Sequence, residues 1–327
     1  MLMGPAIGLL TILASLLRIP DEAAGAYCGN RPLMMGKSAT HPDGGSEAAP
    51  GAWPWIVSIQ SPLLDDYYHV CAGTVLNNLW VLTAATCFKD EENTMYLWRF
   101  VIGTNQLSHL DQNVQVREPL TVVIHEGYNK MNGTDDIALV KLNQAVVYSR
   151  FVQPACLPIT SANIYALVNC QVCGWSVLIN NVFTVADELL EANISFVGLE
   201  RCNSITWHDG ALFPYNLCAG YGEDEIDNCP GDFGGPLMCQ DRKTRTFYVV
   251  GVTSWGRGCL DKRNPAVFTS THSFLKWIQD SMSREDHPNF KSMKYNTAKS
   301  GDIQRTYSHD APNKASLRLR RTARSKT

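Results

Sequence analysis

The sequence predicts an all-β protein, arranged as barrels or a sandwich, with a single helix near its C-terminus. Three observations predict it. Short runs rich in β-branched and aromatic residues recur through the middle of the chain, turn residues separate them, and no helical periodicity intervenes. At 327 residues and 45% hydrophobic, the chain can bury a sizeable core in one large β domain or two smaller ones.

The N-terminus, MLMGPAIGLLTILASLLRIP, carries an apolar stretch from Ala6 to Leu17. That stretch is too short for a membrane span and suits a signal peptide. Ala24-Gly25-Ala26 offers a cleavage site and sets the segment at 1–26, although no Lys or Arg precedes the apolar stretch. An uncleaved anchor is the alternative. No later stretch approaches 18 apolar residues, so no membrane span is expected beyond it.

The strand candidates follow in order: WIVSIQ, HVCAGTVL, WVLTAATC, WRFVIG, VQVREPLTVVIH, DIALVKL, LLEANISFVG and TFYVVGVTSW. The helix is SFLKWIQDSM, in which Phe274, Leu275, Trp277, Ile278 and Met282 share one apolar face that can pack back onto the domain. Residues 283–327 are polar and aperiodic, the composition of a disordered tail. No repeat of solenoid length is present.

Charge is unevenly placed. Residues 281–327 hold 11 Lys and Arg against 4 Asp and Glu, a charge of +7, which leaves −10 on the rest of a chain whose total is −3. A basic tail follows an acidic body. The tail segment RLRRTARSKT has three readings: docking on sulfated glycans or an acidic protein surface, furin-type processing at Arg318-Leu319-Arg320-Arg321, or a solvated end. No aromatic-basic interleaving points to nucleic acid.

Eleven cysteines read as disulfides in an oxidising compartment. A structural zinc site needs a second tight pair beside Cys170-x-x-Cys173, and there is none, so no metal and no cofactor is called for. The sequons Asn132-Gly133-Thr134 and Asn193-Ile194-Ser195 fit a secreted glycoprotein.

The segment CPGDFGGPLMC, from Cys229 to Cys239, carries the most specific signal. With GAWPWIVSIQ, HVCAGTVLNNLWVLTAATC, DDIALVKL, FVQPACLP, CGWS, NLCAGY, GVTSWGRGC and NPAVFTS, it makes nine motifs in one order. In type and order they resemble the trypsin-like (chymotrypsin-fold, peptidase family S1) serine proteases, with a flavour similar to the acrosin and transmembrane protease serine 12 group. The resemblance implies two six-stranded antiparallel β-barrels over residues 42–282, with an active site in the cleft between them. Residues 27–41 resemble a propeptide or light chain tethered through Cys28. The implied disulfides are Cys28–Cys156, Cys71–Cys87, Cys170–Cys239, Cys202–Cys218 and Cys229–Cys259. Cys173 is left over, as a free thiol or an intermolecular link.

The chemistry of this family needs a hydroxyl nucleophile, an imidazole to take its proton and a carboxylate to orient the imidazole. At the matching positions this chain has Phe233, Thr86 and Asp136. A phenyl ring has no atom to attack a carbonyl, and a threonine hydroxyl does not accept a proton near neutral pH. Removing triad members leaves only about 10³–10⁴-fold rate enhancement in such enzymes. His69 and His125 lie near the motifs in sequence, and each reads as a packed or surface residue. Asp136 reads as a structural carboxylate bound to Ser254 and to Thr86.

Relatives are activated by cleavage at Arg-Ile-Val-Gly-Gly, which frees an α-ammonium to pair with the Asp preceding the serine. That residue survives as Asp232, yet the activation sequence is His41-Pro42-Asp43-Gly44-Gly45, with Lys37 as the nearest basic residue upstream. Asp232 is therefore expected to lack its partner and the domain to stay single-chain and zymogen-like. The resemblance places Asp227 at the base of the specificity pocket, Gly256 and Gly258 at its walls, and Ala266 where glycine is usual. These four form either a residual site for a cationic side chain or an inherited remnant without a ligand. The reading is a secreted, catalytically inactive protease homologue that binds an unidentified protein. By resemblance alone its setting is male reproductive tissue, including the acrosome. The alternative is a working serine-type endopeptidase with an unconventional nucleophile and Arg/Lys preference, and a third is an inert secreted remnant.

Overall fold

Strand burial sorts the chain into two curled antiparallel sheets. The computed structural model describes residues 28–34, 46–64, 66–88, 94–179, 182–220, 231–255 and 265–284. The chain divides into two units, Met1–Lys294 and Tyr295–Thr327, and every described residue belongs to the first. The expected signal peptide, the activation sequence and the basic tail beyond Arg284 lie outside the described residues.

In chain order the strands begin with β1 (Ser46–Glu47), β2 (Ile56–Leu63), β3 (Asp66–Val75), β4 (Trp80–Thr83) and β5 (Arg99–Ile102). Next come β6 (Gln115–Arg117), β7 (Pro119–Ile124), β8 (Ala138–Leu142), β9 (Val168–Ile179) and β10 (Val182–Asn193). The last five are β11 (Ser195–Val197), β12 (Asn216–Gly220), β13 (Pro236–Gln240), β14 (Phe247–Trp255) and β15 (Ala266–Ser270). Among the described residues one sheet runs β6-β5-β2-β3-β4-β8-β7 and the other β1-β10-β9-β13-β14-β15-β12-β11. The expected two-barrel architecture is present. The strands beyond six in each sheet are short edges: β6 and β11 of three residues and β1 of two.

Each sheet curls around its own apolar interior. Ile59, Val81, Leu82, Phe100, Ile102, Val122, Ile137 and Leu139 are buried in the first. Val172, Ala192, Leu217, Leu237, Val250 and Phe268 form one cluster in the second. The β-branched and aromatic content of β2, β5 and β14 suits a pleated, largely buried surface. β13, PLMCQ, is buried at every position because neighbours cover both its faces.

The helix α1 (Leu199–Cys202) is a single turn, and α2 (Leu275–Ser283) is the helix expected near the C-terminus. Leu275 and Ile278 are buried on α2, and Phe274 ahead of it packs edge-on to His125. The segment 28–34 is stitched to the body by Cys28–Cys156, by backbone bonds of Gly29 with Pro154 and Phe247, and by Arg31, which lies 4.2 Å above the Trp53 ring. Among the described residues no helix is long and apolar enough to cross a membrane.

Candidate functional site

β4 ends at Thr83, and the chain enters one 3-10 turn, Ala85–Phe88. The Cys71–Cys87 disulfide pins that turn to β3 and holds Thr86 half-buried at the junction of the sheets. The Thr86 backbone N–H donates to Asp136 Oδ1 at 2.7 Å, and the Ser254 hydroxyl donates to Oδ2 at 2.5 Å. Thr269 fixes the same residue through its backbone carbonyl at 2.9 Å. Asp136 is thus a buried carboxylate held by a backbone amide and a hydroxyl, where a proton relay would set an imidazole. Burial pushes its carboxyl up to about 6, against hydrogen bonds from Ser254, Thr86 and Ala85 that hold it down.

The loop before β13 brings Phe233 to this junction. Ala72 N–H donates to the Phe233 carbonyl at 2.9 Å, and Gly234 N–H donates to Thr253 at 2.8 Å. Gly234 has φ +79°, and a side chain there would collide with Thr83 Oγ1 and the Ala72 carbonyl. Only glycine lets the loop approach β3 and β4 this closely. The Phe233 side chain faces outward, and the residue is 41% exposed. Gly231 N–H donates to the Ser176 carbonyl at 3.3 Å, so this amide is spent within the protein.

Asp232 points the other way, into the interior. Its Oδ2 accepts from Trp175 N–H and its Oδ1 from Ser176 N–H, both at 2.8 Å. Gly174 permits this approach, because a Cβ there would meet Asp232 Oδ2 at 2.7 Å. His69 Nε2 lies 3.0 Å from Asp232 Oδ1, an ion-pair contact rather than a well-aligned hydrogen bond. Ser58 Oγ and His69 Nδ1 share a hydrogen bond at 2.9 Å, Gln60 Nε2 donates to Ser58 Oγ at 3.0 Å, and Arg99 Nε donates to Gln60 Oε1 at 2.7 Å. A polar chain thus runs from Arg99 to Asp232. Burial pushes the Asp232 carboxyl up, but the neighbouring His69, with hydrogen bonds from the Ser176 and Trp175 N–H groups, outweighs burial and holds it below its ordinary value.

This pairing corrects two expectations. Asp232 does not lack a partner, and His69 is not an incidental packed residue. The signal that sequence reasoning passed over lies in β2 and β3, where Ser58, Gln60 and His69 put polar side chains at buried positions of otherwise apolar strands. Buried polar groups are nearly always partnered, so such a cluster announces a network. His125 sits apart from it, 5.0 Å from the rings of both Phe274 and Trp277.

The remaining expected positions fall into two groups. Asp227, Gly256, Gly258, Cys229 and Cys259 lie outside the described residues. Among the described ones, Ala266 is half-buried in β15 and packs on the second sheet's core. Among the described residues the disulfides are Cys28–Cys156, Cys71–Cys87, Cys170–Cys239 and Cys202–Cys218. Cys173 is a free thiol, 1% exposed. Asn132 stands exposed on a turn, whereas Asn193 is half-buried opposite Gln171 in the β9–β10 ladder.

Two curled sheets meeting at a carboxylate, a 3-10 turn and a glycine-shaped loop agree with what comparison finds. The trypsin family model matches residues 42–278. Transmembrane protease serine 9 of Rattus norvegicus is 32% identical over 268 residues, a match covering 82% of this chain but only 24% of that protein. On its fold and on both comparisons, this chain belongs to the trypsin family of serine proteases.

Proposed function

We propose that this chain is a secreted, catalytically inactive member of its family that works by binding another protein. The observation that carries the reading is the pair of side chains at the junction. Position 86 offers a hydroxyl and position 233 a phenyl ring, so the site has neither a proton acceptor beside Asp136 nor a nucleophile. The outward ring of Phe233 stands where a scissile carbonyl must approach, which opposes a near-attack geometry. The bond from Gly231 N–H to Ser176 supports the same reading, since that amide is an oxyanion donor in active relatives.

A zymogen-like, single-chain state accompanies it. Asp232 is already satisfied by His69, Trp175 and Ser176, and His41-Pro42-Asp43 gives a trypsin-type activator no basic residue to recognise. The proposed organisation is a signal peptide over 1–26, a tethered segment over 27–41, the protease-like domain over 42–282 and a basic tail over 283–327. Four disulfides among the described residues support an oxidising, extracellular setting. The tail's charge of +7 supports a sulfated glycan or acidic protein surface as its contact. Asp227, Gly256, Gly258 and Ala266 are taken as an inherited pocket without a ligand, and the acrosin-like motif flavour supports a reproductive, acrosomal setting.

A fluorophosphonate probe, which labels activated serines, tests the reading. The purified chain is expected to stay unlabelled while trypsin in the same tube is labelled. Stoichiometric labelling of a residue of this chain would overturn the proposal.

A further inference from the structure

We propose that Asn132 carries an N-linked glycan that roofs the cleft beside Trp255. The inference rests on the secretory reading above and concerns what that reading does to the site. Asn132 lies on an exposed turn closed by two backbone bonds, Asn129 N–H to Thr134 at 3.1 Å and Gly133 N–H to Asn129 at 2.8 Å. The neighbouring Met131 is 86% exposed, so bulk has room on the outer side of the turn. Asn132 Oδ1 accepts from Thr134 N–H at 3.2 Å and from the Thr134 hydroxyl at 3.1 Å. The sequon is therefore already folded so that its hydroxyl engages the amide to be modified.

The inner side of the same turn packs on Trp255, the residue that follows Ser254. A Cβ on Gly133 would lie 3.4 Å from Trp255 Cδ1 and 3.6 Å from its Nε1, so the turn rests on the edge of that indole. Trp255 is fixed in turn by His208, whose ring is 5.0 Å away. Trp255 follows Ser254, which holds Asp136, and Asn132 precedes Asp136 by four residues. Four residues span at most about 14 Å of extended chain. The backbone of Asn132 therefore lies within about 14 Å of that of Asp136, and sugar attached there starts within that distance of the site.

In the transfer, the Asn132 amide nitrogen displaces a polyprenyl pyrophosphate from C1 of the donor oligosaccharide. The N–C1 bond forms, the C1–O bond breaks, the pyrophosphate departs with the bonding pair, and the amide loses one proton. Asn193 presents a different surface: it lies half-buried in a ladder and is followed by Ile194, which is 5% exposed. A glycan at Asn132 leaves the rim open to small molecules and closes it to polypeptide, so a protein partner docks elsewhere on the domain.

The test uses the full chain secreted from animal cells, with glycopeptide mapping before and after peptide N-glycosidase. The peptide containing Asn132 is expected to carry glycan in the parent and in Thr134→Ser, and to be bare in Thr134→Ala. A Phe233→Cys variant then reports access. A polyethylene-glycol maleimide is expected to label it several-fold more slowly than it labels Phe233→Cys with Thr134→Ala, while N-ethylmaleimide labels both at one rate. A secreted, disulfide-bonded chain bare at Asn132, glycan on Asn193 alone, or equal rates with the bulky probe would overturn the inference and leave the inactive reading standing. A chain retained unglycosylated in the cytosol would overturn the secretory reading together with it.

Discussion

His69 Nε2 and Asp232 Oδ1 lie 3.0 Å apart in a pocket where both side chains are 1% exposed. In a protease of this family, the Asp before the nucleophile is the residue that receives the new N-terminus on activation. Here it is already occupied, and the occupant is tied through Ser58 and Gln60 to Arg99. The loop that carries Phe233 is therefore braced from within.

Removing His69 leaves the buried Asp232 carboxylate with only the Trp175 and Ser176 amides, and takes the partner of Ser58 as well. His69→Ala is expected to cost about 1–3 kcal/mol of stability, the penalty for buried polar groups that lose a partner, read from urea unfolding at neutral pH. His69→Ala with Asp232→Ala is expected to cost less than the sum of the two single changes. Simple additivity would show that the two residues do not interact.

The same carboxylate gives an acid signature. A carboxyl held below its ordinary value contributes stability above the unfolded value of about 3.9, and that stability is lost as pH falls through the folded value. The parent is expected to lose stability more steeply than Asp232→Asn below about pH 4. Parallel acid-unfolding curves would contradict the pairing.

Asp136 has the opposite sign. Its carboxyl is raised to about 6, so its contribution is fully present below the unfolded value and is lost as pH rises through about 6. At about 1.4 kcal/mol for each tenfold step in acidity, ionised Asp136 costs on the order of 3 kcal/mol at pH 8. Asp136→Asn keeps an acceptor for Thr86 N–H and offers an N–H to Ser254. It is expected to raise the melting temperature at pH 8 and to change it little near pH 4. Destabilisation at pH 8 would mean that the negative charge is wanted there.

Much of this architecture was legible in the chain. The strands at WIVSIQ and TFYVVGVTSW show themselves through β-branched and aromatic residues, and they became β2 and β14. β9, β12, β13 and β15 did not stand out as strands, because buried runs such as PLMCQ and NLCAG lack alternation and carry cysteine, glycine or proline. Such runs become strands through neighbours on both sides, which no local pattern displays. WVLTAATC reads as one strand but stops at Thr83, where the Cys71–Cys87 bridge bends the chain into a 3-10 turn. Thr86, Asp136 and Phe233 were legible from the motifs around them. The His69–Asp232 contact was not, because it joins residues 163 positions apart in sequence.

Cys173 should behave as an inert thiol. Burial pushes it well up, Glu191 and Asp232 push the same way, and Arg31 opposes them weakly. Thiol reactivity belongs to the thiolate, so maleimide is expected to label Cys173 only after denaturation. Non-reducing electrophoresis is expected to show a monomer. A disulfide-linked band that disappears in Cys173→Ala would contradict the burial seen here.

Restoring the dyad alone is not expected to restore an enzyme. In Thr86→His with Phe233→Ser, Asp232 still pairs with His69 and Gly231 N–H still points at Ser176. A missing oxyanion donor costs about 10²–10³ in rate. Adding His41→Arg, Pro42→Ile and Asp43→Val, followed by trypsin cleavage, is expected to raise activity by at least that order. A double variant already as active as the fully repaired chain would refute the brace.

Turnover of Arg- and Lys-amide substrates by the purified chain, before and after limited trypsin treatment, tests the central claim most directly. The account predicts none above a trypsin-inhibitor-treated blank. Hydrolysis that follows the protein through successive columns and falls in Asp136→Ala would contradict it.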